Sequence, residues 1–315
     1  MMQSFRAMIL AAGLGTRLRP LTLNRPKVLV PVQNRPLLHW LVEYLRTAGA
    51  EAIVVNAYHL GRMLKDHVER RDFGIPVEVR VEDGLMGTGG GIRNVVDFWD
   101  ERPLVVINGD ILSAIDLQEL LREHIGSGAD ATLVLTDEPR FNEVQVAEDG
   151  RILSFGGEAG SSLAFTGIQV IIPQVLDGIP ADTPSSIIDC YRRLMASGRK
   201  VTAHVVKEQF WRELGSLDAY LQVHKELVHM EKEPVPGLQV GGKPMVHGSA
   251  RLGARVRLSG MVCVGEGCRL GDGVMVQDSV LWDQVRVKDG CSVRDSIIGD
   301  DVVVGASVKD AVLGV

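Results

Sequence analysis

A mixed, mostly parallel α/β sheet domain followed by a short left-handed parallel β-helix is the architecture predicted for this chain of 315 residues. Three observations predict it. Up to about residue 231, short apolar runs alternate with amphipathic stretches; from residue 246 onward, apolar residues recur every six positions. Between the two lies 232–245, with three prolines and three glycines, which reads as a linker. The expected organisation is therefore a first domain over 1–231, a linker over 232–245 and a repeat domain over 246–315.

In the first domain, 7–12, 52–55, 77–81, 104–107 and 131–135 are apolar enough for buried strands. Helical spacing lies between them. Segment 37–48 puts Leu38, Leu41, Val42 and Leu45 on one face, and 60–71, 91–98 and 117–125 follow the same logic. Such alternation produces crossover units and a parallel sheet with helices on both faces. Further strands are predicted near 151–155, 164–172 and 200–206, before a last long helix over 216–230.

In the second, Val246, Leu252, Leu258, Val264, Leu270 and Val276 stand six apart, and the series continues to Val304 with two slips of one residue. A parallel register from Ala250 to Val308 slips together with it, as two inward positions of one repeat must. Glycine or small polar residues between them complete a hexapeptide signature, and three hexapeptides make one triangular coil. The tail thus holds somewhat under four coils.

Composition excludes several classes. With 45% hydrophobic and 23% charged residues the chain is globular, not disordered. A net charge of -6 leaves no cationic excess for a nucleic acid or an anionic membrane. No apolar run approaches the roughly 20 residues of a membrane span, and the start runs directly into a glycine loop without a cleavage site, so a cytoplasmic location is expected. Cys190, Cys263, Cys268 and Cys291 form no CxxC pair, so neither a disulfide framework nor a zinc site is indicated. Trp40, Trp99, Trp211 and Trp282 read as core residues, Trp282 with the alternative of a subunit contact.

The chemistry concentrates in LAAGLGTRLRPLT, residues 10–22, and RPKVLVPV, residues 25–32. A buried strand ends at Ala12, and Gly13 and Gly15 let successive N–H groups turn toward a phosphate without a Cβ in the way. Arg17 and Lys27 add fixed positive charge, so the segment reads as a polyphosphate pocket. A Walker A loop is excluded by the glycine spacing, and a dinucleotide fingerprint by Leu18 where a third glycine is needed.

These strings resemble the signature of the sugar-1-phosphate nucleotidyltransferases, whose members with this type of tail include mannose-1-phosphate guanylyltransferases. The likeness extends to NGD at 108–110, to EDGLMGTGGGI at 82–92, to FTGIQVI at 165–171 and to FWRELGSLDAY at 210–220. It implies a Rossmann-like nucleotidyltransferase domain in which a sugar 1-phosphate oxygen attacks the α-phosphorus of a nucleoside triphosphate in line and pyrophosphate leaves. Positioning and charge neutralisation suffice for such a displacement. The resemblance assigns Arg17, Lys27 and Asp110 to catalysis. It assigns the nucleotide to Leu10, Ala11, Ala12, Gly13, Gly15, Thr16, Glu82, Gly87, Thr88 and Gly89. The sugar falls to Asn108, Glu158, Thr166 and Gly167, and a Mg²⁺ ion to Asp110 and Glu213. Glu213 departs from the family's usual aspartate, with a structural salt bridge as the competing role, and 156–160 lacks the Glu-Lys-Pro sugar clamp of some branches.

A carboxylate at 82 accepts hydrogen bonds only, which suits the adjacent N1–H and N2–H of guanine and also the N3–H of uracil. GTP with mannose 1-phosphate is the favoured pair; UTP with glucose 1-phosphate or N-acetylmuramic acid 1-phosphate is the alternative. Two other classes compete with this reading. An acyltransferase would need a histidine on the coils, where only His247 occurs, and a non-catalytic regulatory subunit would follow from lost metal chemistry at Glu213. The coils are expected to support a homo-oligomer or buttress the first domain.

Overall fold

The computed structural model describes residues 2–156 and 162–314. The chain divides into two compact units that do not follow chain order. One takes in the chain up to Gly13 together with Trp40–Trp211; the other takes in Leu14–His39 and the chain from Arg212 onward. Among the described residues no helix is long and apolar enough to cross a membrane.

The first unit is built on a nine-stranded mixed sheet. Phe5–Leu10 lies at its centre between two parallel neighbours, Ala50–Ala57 and Leu104–Asn108, and Val77–Val81 extends it beyond Ala50–Ala57. The registers align three strand ends, since Leu10 stands opposite both Asn56 and Asn108. Ser162–Ile171 runs antiparallel to Leu104–Asn108 and to Ala131–Thr136, which pairs in parallel with Val201–Val205. An antiparallel edge, Asn142–Val146 against Ile152–Phe155, closes the other side.

Among the elements outside the sequence expectation are one strand and one helix. The strand Asn142–Val146 buries only Val144 fully, so its apolar signal is faint. The helix Ile187–Ala196 has a normal signal: Ser186 caps it by accepting from the Ile188 N–H at 3.2 Å, and Ile187, Cys190, Tyr191 and Leu194 are its buried face. That face packs with Met8, Val54, Val106, Leu133 and Ile171 in one core, each large apolar side chain contributing about 1.5–3 kcal/mol.

In the second unit the coil strands pair in parallel, rung upon rung. Leu252 pairs with Leu270, 18 residues on; Leu270 with Val287 and Val287 with Val304, each 17 on. The slips predicted in the repeat are therefore whole-coil shortenings. The longer coil carries its extra residue where the register breaks between Ser259 and Val262. Gly260 there adopts φ 69°, and a Cβ would stand 2.1 Å from Asp278 Oδ1. The predicted inward residues, among them Val264, Leu270, Val276, Val287 and Ile298, form one continuous core.

Segment 14–39 contains short turns, a hairpin of two-residue strands and only the start of the helix Leu37–Thr47, yet the same unit holds it by many side-chain ties. Arg25 pairs with Asp283 at 2.9 Å and Asp300 at 2.8 Å, and its guanidinium lies 5.3 Å from the Trp282 ring centre. Trp282 is 1% exposed, so within this chain it is a packed core residue. Its Nε1–H donates to the Tyr220 hydroxyl at 3.0 Å, and that hydroxyl donates to the Pro31 carbonyl. Further along, Gln33 exchanges two hydrogen bonds with the Gln239 backbone, and its own N–H donates to His224 Nε2 at 3.2 Å. Asn34 donates to the Val264 carbonyl at 2.9 Å.

Candidate functional site

In the first unit the predicted nucleotide residues sit at aligned strand ends, where open α/β sheets present ligand sites. The Ala11 N–H donates to Asn56 Oδ1 at 2.8 Å, and Asn56 Nδ2 donates to Glu82 Oε1 at 2.7 Å. The second oxygen of Glu82 accepts from the Met86 N–H at 3.3 Å. Glu82 is thus a buried carboxylate, 7% exposed, with a partner on each oxygen. Burial pushes its pKa up, against the opposing pull of those two donors. Asn56 was not singled out from sequence; the available signal was a polar residue ending the buried run AIVV.

The glycine run serves the chain before any ligand. Gly87 has φ 69°, and a Cβ on it would lie 2.6 Å from the Ser185 carbonyl oxygen. Gly89 donates its N–H to that same oxygen at 2.9 Å, and the Thr88 hydroxyl accepts from the Ile187 N–H at 3.0 Å. At Gly91 a Cβ would fall 2.6 Å from Asn56 Nδ2, into the Asn56–Glu82 bond. Gly13 differs: nothing lies within 4 Å of an added Cβ, so its backbone approach is open.

Asn108, Gly109 and Asp110 continue the Leu104–Asn108 strand past the end of Phe5–Leu10. The Gly109 N–H donates to the Leu10 carbonyl at 2.8 Å, and a Cβ there would stand 2.7 Å from that oxygen. Gly109 is what lets Asp110 leave the sheet at this point. Opposite Asn108, Gly167 takes φ 78° with its Cα against the amide, where a Cβ would meet Asn108 Nδ2 at 2.4 Å. Thr166 is 1% exposed and spends its hydroxyl on the bulge, donating to the Val134 carbonyl and accepting from the Ile168 N–H. Asn108 and Gly167 are thus brought together, Thr166 supports the bend, and Glu158 lies outside the described residues.

In the second unit Gly15, at φ 62°, opens the turn Thr16–Leu18, and the Thr22 hydroxyl locks it by donating to the Gly15 carbonyl at 2.7 Å. Arg17, with 61% of its side chain exposed, pairs with Glu213 at 2.9 Å. Lys27 begins a second short turn, Lys27–Leu29. A Cβ on Gly215 would sit 1.6 Å from Glu213 Oε1 and 2.6 Å from Arg17 Nη2, so a larger residue there would displace that pair. The carboxylate chosen from sequence as a metal ligand is therefore folded back onto the arginine chosen as a phosphate ligand.

The donor chemistry of Asp110 and Glu213 suits a hard cation, which takes one or two carboxylates and completes its shell with water and phosphate oxygens. Among the described residues no three His, Cys, Asp or Glu side chains cluster as a preformed metal cage. Each carboxylate is of a type that fits such an ion, and in the second unit Glu213 is paired with Arg17.

Residues 6–229 match the model of the nucleotidyl transferase family, and residues 240–314 match the GMPPB C-terminal domain. The chain belongs to the nucleotidyl transferase family. Over 296 residues it is 33% identical to a mannose-1-phosphate guanylyltransferase of Mycobacterium tuberculosis, covering 90% of this chain and 81% of that one. It is 28% identical to a UTP–glucose-1-phosphate uridylyltransferase of Synechocystis, covering 90% and 84%. The crystal structure of HddC from Yersinia pseudotuberculosis shares the fold, with a TM-score of 0.61 and 23% identity over 69% of this chain and 97% of that one. Both alignments cover 90% of this chain, so they reach into its coil segment as well as its sheet.

Proposed function

We propose that this nucleotidyl transferase joins GTP to mannose 1-phosphate, releasing pyrophosphate and GDP-mannose. The observation that carries the reading is the signature segment itself: an exposed Arg17 on a turn locked by Gly15 and Thr22, with Lys27 ten residues on. Arg17 binds the α- and β-phosphates and disperses charge toward the leaving pyrophosphate. Lys27 lies beside the α-phosphate and the attacking phosphate and offsets their repulsion, a gain that grows as water is excluded. The sugar phosphate oxygen forms the new P–O bond while the bond from the α-phosphorus to the β-bridging oxygen breaks; both electrons leave with pyrophosphate.

Mg²⁺, when bound through Asp110 and Glu213, supplies charge neutralisation on the phosphate oxygens. Gly13, with open space about it, lets a phosphate approach the backbone of residues 11–16. Asn108 and Gly167 form the contact taken for the sugar. A second reading, UTP with glucose 1-phosphate, is favoured by the state of Glu82. Its two oxygens already accept from Asn56 and Met86, which weakens its claim as a dedicated acceptor for guanine.

Pyrophosphate release from a panel of four nucleoside triphosphates with mannose, glucose and N-acetylmuramic acid 1-phosphates tests this. The GTP and mannose 1-phosphate pair is expected to give the highest kcat/KM, and Lys27→Ala to lower its kcat about 10²–10³-fold. A faster rate with UTP and glucose 1-phosphate would overturn the choice of substrates. Full turnover by Lys27→Ala would overturn the mechanism.

A further inference from the structure

One face of the coils carries charge that the reaction does not use. Arg251, Arg269 and Arg286 occupy the same position on three successive rungs, Arg251 pairing with Arg269 and Arg269 with Arg286. Leu270 and Val287, the next residue on their rungs, point inward and are 2% and 3% exposed, so the arginines alternate outward. Stacked strands lie about 4.8 Å apart, which makes the ladder about 10 Å long. The next outward column begins with Gly253 and Gly271 and ends with Lys288; a Cβ on the first two would meet Asp272 Oδ1 at 2.5 Å and Asp289 Oδ1 at 2.1 Å, so only glycine fits beside those carboxylates. Together the two columns line a groove of about 510 Å³.

Among the described residues none of these three arginines has an ion pair. Six carboxylates of the coils have partners elsewhere. Asp272 and Asp289 accept the backbone N–H groups of Ala254 and Asp272, and Asp278 accepts from the Met261 N–H. Asp283 and Asp300 hold Arg25, and Asp295 holds Lys225. Like charges directly opposite across a sheet destabilise it, so three stacked guanidinium groups in a chain of net charge -6 are a local cost that a bound anion relieves.

We propose that this face binds the di- or triphosphate group of a small molecule. Guanidinium forks take phosphate oxygens in pairs, which ammonium groups do not. The ladder is long enough for two or three phosphates. A long polyanion would overrun it onto a surface of the opposite overall sign. The source is either the nucleoside triphosphate or the pyrophosphate of the reaction, or a related metabolite of the same chemistry.

The test is calorimetric titration of the full chain with inorganic tripolyphosphate, then with pyrophosphate and GTP separately to tell the sources apart. The titrations are repeated on a Lys27→Ala chain so that the signal comes from the ladder. Arg269→Gln with Arg286→Gln is expected to weaken binding to that chain on the order of tenfold or more, with the melting temperature unchanged. In an otherwise native chain the same pair is expected to leave the KM for nucleoside triphosphate within about twofold, because neither residue touches the signature segment. Raised salt is expected to weaken the ladder site strongly. Arg251→Gln, at the ladder's end, replaces the double variant if that does not fold. Equal binding with and without the ladder arginines would overturn the proposal. So would a change in sedimentation mass on their removal, which would make the face a contact between copies.

Discussion

The two units hold their functional groups by opposite means. In the first, Leu10, Asn56 and Asn108 are placed by sheet register, and the side chains that matter are joined by short, buried, neutral or singly charged hydrogen bonds. In the second, Arg17 and Lys27 ride on turns with almost no backbone ladder, and the segment is fixed by charge and aromatic contacts from residues more than 180 positions away. The difference teaches that a loop can be as well placed as a strand end, provided its clamps come from a rigid solenoid. It also means that the two halves should fail differently.

Arg25→Met breaks the comparison hardest. It removes both ion pairs and the ring contact, leaving Asp283 and Asp300 together; burial already pushes the Asp300 pKa up. Allowing for partial exposure, the expected loss is about 2 kcal/mol of stability. A fall of about 10–100-fold in kcat should accompany it, because Arg17 and Lys27 lose their frame. Thermal melting and single-turnover rates check both, and Arg25→Lys should restore only part of the rate.

Asn56→Leu sharpens the other side. It orphans the Ala11 N–H and strips one donor from Glu82, an expected loss of about 1–3 kcal/mol. The sign with pH is set by Glu82. Its pKa is already raised, so the native chain holds its proton to higher pH than the unfolded chain does, and stability falls as pH rises through the folded value. Losing the Asn56 donor raises that value further, so the deficit should be larger at pH 8 than at pH 5. Melting curves of both proteins at the two values decide it.

The smallest effect belongs to His224, neutral in the fold: Nδ1–H donates to the Tyr220 carbonyl and Nε2 accepts from the Gln33 N–H. Burial lowers its pKa from 6.5 to about 4. The unfolded chain therefore takes up the proton first, and stability present above pH 6.5 is lost as pH falls toward 4. At pH 5.5 the loss should be about 1 kcal/mol. A His224→Gln chain whose melting point fell just as steeply with acid would reassign that loss to other groups, His124 first among them.

What could be read in advance follows from range. Strands such as Phe5–Leu10 and the inward column through Leu270 and Val287 announce themselves by local periodicity, and the paired slips even foretold the change from an 18- to a 17-residue coil. Gly15 was legible as a sharp turn and has φ 62°, whereas nothing in the glycine run marked the φ 69° of Gly87. Asn56 and Arg25 were not legible, because their roles exist only across 26, 258 and 275 residues of chain. For Glu213 the sequence offered a metal ligand or a salt bridge but not Arg17 as the partner, and Thr166 looks from sequence like a ligand while its hydroxyl is spent on the backbone.

The grip on Arg25 comes from two successive corners of the solenoid, at Asp283 and Asp300. The demand that this grip makes on repeat number therefore falls on the downstream coils. Extra hexapeptides spliced ahead of Val246 would leave both anchoring corners intact. Excising the 17 residues from Val287 to Val303 would rejoin the inward columns in perfect phase and still abolish one anchor.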